Sequence, residues 1–149
     1  MSIILLKIKI KQMKRYILTL MICIAGFYGF SQDFCKLQIE IVNLRSNKGD
    51  VLIEIFDTNQ NSIVSKKVKI SDNKCFVTID SLHNEQYAIQ YMHDENSNGK
   101  FDTNFVGIPL EGYGISNDAY GNFGPDKFDK WLFTVNKLTK VVLTTKYTF

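Results

Sequence analysis

Residues 36–41 have the sequence KLQIEI, in which polar and apolar side chains alternate. A period of two sends successive side chains to opposite faces, which is typical of a strand with one buried and one solvated face. The alternation returns at residues 51–56 (VLIEIF), after a turn at residues 43–50 that contains the sequence NKG. We therefore expect these two strands to pair as a β-hairpin.

Five more segments are predicted to be strands, because each is apolar or alternating and is bounded by turn-forming residues. They are residues 63–70, 74–79, 86–93, 131–135 and 141–149. With no amphipathic helix, the pattern predicts an all-β fold, namely an antiparallel seven-stranded sandwich of the immunoglobulin-like or prealbumin-like type. One long acidic, Gly-rich loop region at residues 94–130 interrupts it, and a connection of this length indicates a functional loop.

The first 32 residues are expected to be an upstream extension followed by a secretory signal peptide. Met13 is the expected start, and Lys14 with Arg15 forms the positively charged region. Residues 16–30 are apolar but short for a membrane span. An uncleaved N-terminal anchor is the alternative interpretation.

Small residues at Gly29 and Ser31 favour cleavage beside Gln32. Cleavage leaves residues 33–149 as a single exported domain, in the periplasm or at the cell surface, without a stable membrane span. This domain has 13 Lys and Arg residues against 15 Asp and Glu residues, which gives a net charge of −2. Such a charge argues against nucleic-acid binding, which requires a basic face.

Two cysteines, Cys35 and Cys75, remain in this domain, and both fall in predicted strands. In an oxidising compartment they can form a disulfide if the strands are adjacent and the Cβ geometry is right. The alternative is that both are small, buried hydrophobic side chains.

The strongest chemical signal is the sequence DENSNGKFD at residues 94–102. Oxygen-bearing side chains occupy positions 1, 3, 5 and 9 of this stretch, which are Asp94, Asn96, Asn98 and Asp102. Gly99 at position 6 permits a sharp turn, and Lys100 at position 7 offers its backbone carbonyl. Calcium binds about six to eight hard oxygen ligands, and this spacing predicts a calcium loop of the EF-hand type.

An EF-hand has a bidentate Glu at position 12, where this chain has Phe105. A distal carboxylate is therefore expected to complete the metal shell, with Glu111 as the first candidate and Asp118 as the second. Because the loop holds two carboxylates at ligand positions, we expect weak calcium affinity, on the order of 10⁻⁴ to 10⁻³ M. The alternative is a metal-free turn whose Asp and Asn side chains cap their own backbone.

The sequence gives little support for a catalytic site. The exported domain has two histidines, His83 and His93, and no G-x-S-x-G motif, so neither a transition-metal cluster nor a serine triad is predicted. Arg45 is expected to pair with an acid across the predicted hairpin. Five aromatic side chains either line a sugar- or peptide-binding surface or form a packing cluster: Tyr113, Tyr120, Phe123, Phe128 and Trp131.

An ordered set of motifs resembles the exported bacterial family called domain of unknown function 2141. The motifs are residues 44–49 (LRSNKG), 87–89 (YAI), 93–104, 107–109 (GIP), 111–114 (EGYG) and 123–125 (FGP). One departure is Asp126, where the family often has a second proline. The resemblance implies a secreted β-sandwich-type domain with no established activity.

These observations together predict a non-enzymatic envelope or secreted module. Calcium stiffens its long loop, which presents a surface to a protein or glycan ligand. One alternative is a small extracytoplasmic hydrolase or isomerase that uses His93, Asp94 and nearby acids. Another is a structural envelope protein that associates with itself through a sheet edge.

Overall fold

The computed structural model describes residues 10–14, 16, 34–121 and 124–148. The chain divides into two compact units, Met1–Gln32 and Asp33–Phe149. The described residues of the first unit are helical. Residues 17–33 hold most of the predicted apolar segment and the predicted cleavage site, and they lie outside the described residues, so export stays a prediction.

The second unit is built mainly from strands, and the structure describes ten of them. They are β1 (Cys35–Val42), β2 (Asp50–Phe56), β3 (Ser62–Val68), β4 (Cys75–Leu82), β5 (Gln86–Asp94), β6 (Gly112–Ile115), β7 (Tyr120–Gly121), β8 (Gly124–Pro125), β9 (Phe133–Thr134) and β10 (Leu138–Thr144). Two short 3₁₀ helices, Ser116–Asp118 and Phe128–Lys130, lie between the later strands.

Two sheets share one hydrophobic core. The first has the order β10-β1-β4, and the second has the order β3-β2-β5-β6, with β9 also paired to β5. Strands β7 and β8 form a separate short pair. Buried side chains from both sheets, among them Ile39 of β1 and Ile53 of β2, belong to one cluster. The mostly β, largely antiparallel class that the sequence predicts is confirmed.

The predicted hairpin of β1 and β2 is wrong, because the two strands belong to different sheets. Their apolar side chains belong to one buried cluster, in which Ile39 and Ile53 are both fully buried. Alternation shows that a strand has one buried face, but it is the same whether the next strand lies beside it or opposite it. The turn between them carries positive φ angles at Asn43 and Gly49 and leads the chain from one sheet to the other.

The expectation of a wholly antiparallel fold is also wrong at one position. Strand β10 runs parallel to β1, with Ile39 opposite Val141 and Ile41 opposite Leu143. Parallel neighbours need a long connection that lets the chain return in the same direction. The chain between β1 and β10 provides such a connection, since it forms all the other strands.

Two local predictions near the long loop also differ from the structure. Within the predicted strand at 131–135, only Phe133 and Thr134 are paired as a strand. Strand β6 was not predicted, because its sequence GYGI contains two glycines and glycine is depleted in strands. Gly114 is needed there for space, since a Cβ atom would lie 2.1 Å from the Tyr91 ring.

The two cysteines lie at opposite ends of the β1–β4 pair. Cys35 is opposite Leu82, whereas Cys75 is opposite Ile41. Six residues of strand separate these positions, or about 20 Å, far more than the ~7 Å limit between Cα atoms for a disulfide. The open question of pairing is therefore answered in favour of two buried thiols.

Candidate calcium loop and ligand cleft

The candidate calcium loop begins at the last residue of β5. The Asp94 side chain is 0% exposed. Its Oδ1 accepts a hydrogen bond from the Asn98 backbone N–H at 3.0 Å, and its Oδ2 accepts one from Gly99 at 2.9 Å. Positive φ angles of 60° at Ser97 and 73° at Gly99 produce the sharp turn that brings these donors back to Asp94.

Three other predicted ligands meet at a single point. The amide nitrogens of Asn96 and Asn98 lie 2.6 Å and 2.9 Å from Oδ2 of Asp102. Their amide oxygens accept backbone N–H groups, Asn96 from Asn98 at 2.9 Å and Asn98 from Lys100 at 2.7 Å. The structure thus brings Asp94, Asn96, Asn98 and Asp102 together, in the hydrogen bonding of a self-capped turn.

Glu111 lies against both ends of this loop and is 5% exposed. Its Oε1 accepts the Glu95 N–H at 2.9 Å, and its Oε2 accepts the Asp102 N–H at 3.2 Å. Glu111 therefore ties the two ends together, while each of its oxygens keeps a second lone pair. The second distal candidate, Asp118, is an exposed residue of the 3₁₀ helix Ser116–Asp118.

The donor set suits a hard cation. Among the residues that the structure describes, no three His, Cys, Asp or Glu side chains form a metal centre, so any ion here depends on amide and carbonyl oxygens too. Rotation of the Asn96 and Asn98 amides by 180° would turn their oxygens toward Asp102 and supply such ligands. It would also break the bonds that these oxygens accept from backbone N–H groups, so a bound ion must offset that loss. At position 12, Phe105 is 99% exposed and offers no side-chain oxygen.

The loop has one charged neighbour, Asp50, that the sequence did not predict. Asp50 lies opposite Asp94 in the β2–β5 register and is almost fully buried. Its carboxylate contacts the Lys69 ammonium at 2.7 Å and the Lys67 ammonium at 3.2 Å. The hydrogen bond from Lys69, with Lys67 beside it, holds the pKa of Asp50 below its usual range. Only the strand register, which the sequence does not show, brings Asp50 beside the loop.

His93 is fully buried, and its hydrogen bonds define its tautomer. Nε2 lies 2.8 Å from the Lys48 carbonyl, which can only accept, so Nε2 carries the proton. In the neutral ring Nδ1 then accepts from the Tyr147 hydroxyl at 2.7 Å. That hydroxyl accepts in turn from the Arg45 backbone N–H at 3.0 Å.

Arg45 pairs with an acid, but not across a hairpin. Its Nε and Nη2 atoms lie 2.7 Å and 3.2 Å from the two oxygens of Glu95, a bidentate contact. The same Nη2 donates to the Leu110 carbonyl at 3.2 Å, and the guanidinium lies 4.6 Å from the centre of the Tyr147 ring. The hydrogen bond to Glu95 raises the pKa of Arg45. Arg45 thus connects the turn after β1 to the start of the candidate loop at Glu95 and to Leu110, the residue before Glu111.

An open cleft of about 1310 Å³ lies over the outward face of the second sheet. Two cross-strand rows from the sheet register form its floor. The first row is Lys67, Leu52, Met92 and Tyr113, and the second row is Ser65, Glu54, Gln90 and Ile115. Gly99 and Phe101 from the candidate loop, and residues 106–109 that follow it, also line the cleft.

The family model described as "Uncharacterized protein conserved in bacteria (DUF2141)" matches residues 39–142, more than half of the chain. The chain belongs to the DUF2141 family. The resemblance seen in the sequence motifs is thereby confirmed, and the match covers the whole candidate loop of this DUF2141 domain. A search of curated proteins and a search of solved structures each gave no significant match.

Four of the five aromatic side chains singled out in the sequence of this DUF2141 domain fall into two groups. In the cleft, the Tyr113 ring makes edge-to-face contacts with Phe101 and Tyr120, with ring centres 5.8 Å and 5.7 Å apart. Away from it, Phe128 packs on Trp131 at 5.4 Å. Packing therefore accounts for the second group, whereas the first also lines the cleft.

Phe123 lies outside the described residues, so its predicted place among the aromatic side chains stays a prediction. The described residues contain no helix that is long and apolar enough to cross a membrane.

Proposed function

We propose that this DUF2141 domain is an exported, non-enzymatic ligand-binding module in which calcium holds the loop at residues 94–102. The observation that carries the proposal is the convergence of the Asn96, Asn98 and Asp102 side chains beside the buried carboxylate of Asp94. The loop contributes to the cleft through Gly99 and Phe101. Fixing the loop would therefore fix the shape of the cleft.

Calcium would supply a central positive charge to which several oxygens bind at once. Asp94 and Asp102 would provide charge, Asn96 and Asn98 would provide amide oxygens, and Lys100 would provide its carbonyl. Glu111 is retained as the distal ligand, since it already contacts the loop backbone at both ends. With few charged ligands, the affinity would be in the range of extracellular modules, on the order of 10⁻⁴ to 10⁻³ M.

For the fold, we infer a sandwich of the immunoglobulin-like or prealbumin-like type. Seven of the ten described strands have four or more residues, and the two main sheets contribute to a single core. For the location, we infer export with cleavage beside Gln32, supported by the basic and apolar order of residues 14–31. N-terminal sequencing of exported protein tests this second inference.

The hydrolase or isomerase alternative has less support. His93 is fully buried, and both of its ring nitrogens already have partners in Lys48 and Tyr147. A general base must reach a substrate proton. Self-association through the free edge of β3 is also less favoured, because Lys66 and Lys67 lie on that strand and charged residues oppose edge pairing.

Thermal unfolding with and without calcium tests the proposal. In protein stripped with chelator, calcium at ten times its dissociation constant should add about 1.4 kcal/mol to the free energy of unfolding. The melting temperature should rise by a few degrees, and magnesium should do far less because its octahedral shell fits such a loop poorly. Asp94→Ala and Asp102→Asn should both remove the response.

Asp57→Ala is the matched control, because Asp57 caps the β2–β3 turn through hydrogen bonds from Asn59 and Asn61. This variant removes an Asp cap of the same kind at another turn, so it should keep the calcium response. A wild-type melting temperature that is indifferent to about 10 mM calcium, ten times the weakest expected dissociation constant, would reject the calcium proposal and leave the self-capped turn.

A further inference from the structure

We propose that the cleft binds an acidic oligosaccharide, a chain of sugar rings that carries carboxylate groups. This inference rests on the proposed binding function and names the class of ligand. The cleft volume of about 1310 Å³ exceeds the ~300 to 1000 Å³ typical of small-molecule pockets, which indicates an oligomer.

The second row of the floor, which begins with three polar side chains, suits sugar hydroxyls. Ser65, Glu54 and Gln90 lie side by side across β3, β2 and β5, and all three side chains are exposed. They offer a hydroxyl, a carboxylate and an amide, which together both donate and accept hydrogen bonds. A ligand with hydroxyl groups along its length can use all of them.

The first row of the floor, in which three apolar or aromatic side chains follow Lys67, suits the C–H faces of sugar rings. Leu52 and Met92 lie in register with Tyr113, whose ring contacts Phe101 and Tyr120 edge to face. Aromatic side chains give a rigid apolar surface with a polar tip, so they can stack on a ring and also bond its substituents. The first and second rows are neighbours on one face of the sheet, as an amphipathic ligand requires.

The positive charge of the cleft favours an anionic ligand. Lys67 and Lys146 line it against one carboxylate, Glu54, although the domain as a whole is acidic. Lys66 also borders the cleft, but it lies opposite the buried Ile53, so its side chain belongs to the other face of the sheet. Asp50 already offsets the charge of Lys67. The Lys146 ammonium lies 4.5 Å from the centre of the Tyr120 ring, a cation–π contact that places a cation beside a stacking surface.

An acidic peptide fits less well. Extended peptides commonly bind by adding a strand to a free sheet edge. The central strands of the floor, β2 and β5, are paired on both sides, so their backbone groups are already used. Recognition over these two strands must come from side chains, which favours a ligand with many hydroxyl groups.

Calorimetry with three probes of similar length tests the proposal: a galacturonate hexamer, a neutral galactose hexamer and hexaglutamate. The galacturonate hexamer should bind at least about tenfold more tightly than either of the others, and its affinity should fall as salt is added. Titrations are made in chelator and again with calcium, because the proposed loop site shapes the cleft when calcium is bound. The same titrations of Lys146→Ala in both buffers separate binding by the protein from calcium bound by the sugar.

Lys146→Ala and Gln90→Ala should each weaken binding of the galacturonate hexamer about fivefold to tenfold, since each removes one charged or polar contact from an exposed side chain. Lys140→Ala is the control, because Lys140 is an exposed lysine of β10 in the other sheet and should leave the affinity unchanged. Equal binding of hexaglutamate or of the neutral hexamer overturns the proposal, as does an unchanged affinity in Lys146→Ala.

The melting response to calcium is measured without sugar, so the two proposals fail separately. Absence of sugar binding in both buffers, with an intact calcium response, rejects the ligand class alone. Sugar binding without a calcium response supports the ligand class and rejects the role of calcium.

Discussion

Gly49 shows how one residue positions the candidate loop. It has a φ of 74°, and a Cβ atom there would lie 1.9 Å from the backbone carbonyl oxygen of Asp94. The turn before β2 can therefore pass close to the end of β5 only because this residue has no side chain. The close approach places Asp50, the next residue, opposite Asp94.

Gly49→Ala should lower the free energy of unfolding by several kcal/mol, roughly 2 to 5, because backbone strain and a steric clash add. Gly99→Ala is the matched control, with a φ of 73° and no heavy atom within 4 Å of its Cβ position. Strain alone should cost that variant about 1 to 2 kcal/mol. Urea unfolding in chelator measures both, and equal losses would show that the contact with Asp94 is unimportant.

The thiols provide a second test at this scale. Burial raises the pKa of Cys75 to about 11. Since only the thiolate reacts, alkylation of native Cys75 should be slow at pH 8. Its rate should rise about tenfold for each unit by which the pH is raised from 8 toward the pKa. After unfolding without reductant, both Cys35 and Cys75 should be alkylated, as mass spectrometry can measure. A mass that shows a Cys35–Cys75 bond would contradict the strand register.

At the scale of single elements, two neighbouring residues of β10 test which face of this parallel strand is buried. Leu143 lies opposite Ile41 and is buried, whereas its neighbour Val142 is 62% exposed. Leu143→Ala should cost about 2 to 5 kcal/mol of unfolding free energy, and Val142→Ala should change it by less than about 0.5 kcal/mol. Urea unfolding measures both. The opposite order would mean that β10 is shifted by one residue, which exchanges its two faces.

The sequence predicts elements better than their partners. Alternation is a local property, so β1, β2 and β5 were predicted within a residue or two of their bounds. Pairing depends on residues far apart in the chain, so the β1–β2 hairpin was wrong and the parallel β10 was unforeseen. Strand β6 carries no local signal, because its glycines are required by distant side chains. Gly114 leaves space for Tyr91, and Gly112 leaves space for Tyr147 and Thr145.

In the candidate site, too, the sequence predicts the residues that are close together in the chain and misses those that are far apart. The spacing of Asp94, Asn96, Asn98 and Asp102 fixes a turn that folds on itself, so local sequence was enough to predict that these side chains meet. Asp50 comes from a distant strand, and only the β2–β5 register brings it opposite Asp94. The cleft was also beyond sequence reasoning, since its floor combines side chains from four strands.

At the scale of the whole domain, the loop and the cleft belong to one arrangement. The long region at residues 94–130 holds seven of the acids and six of the nine glycines of the chain. Arg45 and Glu111 hold the first residues of this region through hydrogen bonds to Glu95, and the preceding residue, His93, is bonded to the Lys48 carbonyl. Beyond these first residues, Phe101 and residues 106–109 line the cleft. A cation in the turn would therefore act on the ligand surface through a short, well-braced segment.

A crystal structure of the domain grown in millimolar calcium tests this account most directly. We predict an ion inside the loop at residues 94–102, with oxygens of Asp94, Asn96, Asn98 and Asp102 and the Lys100 carbonyl at about 2.3 to 2.6 Å. The Asn96 and Asn98 amides should then have turned their oxygens inward. A loop without an ion, in which both amide nitrogens still donate to Asp102, would contradict it.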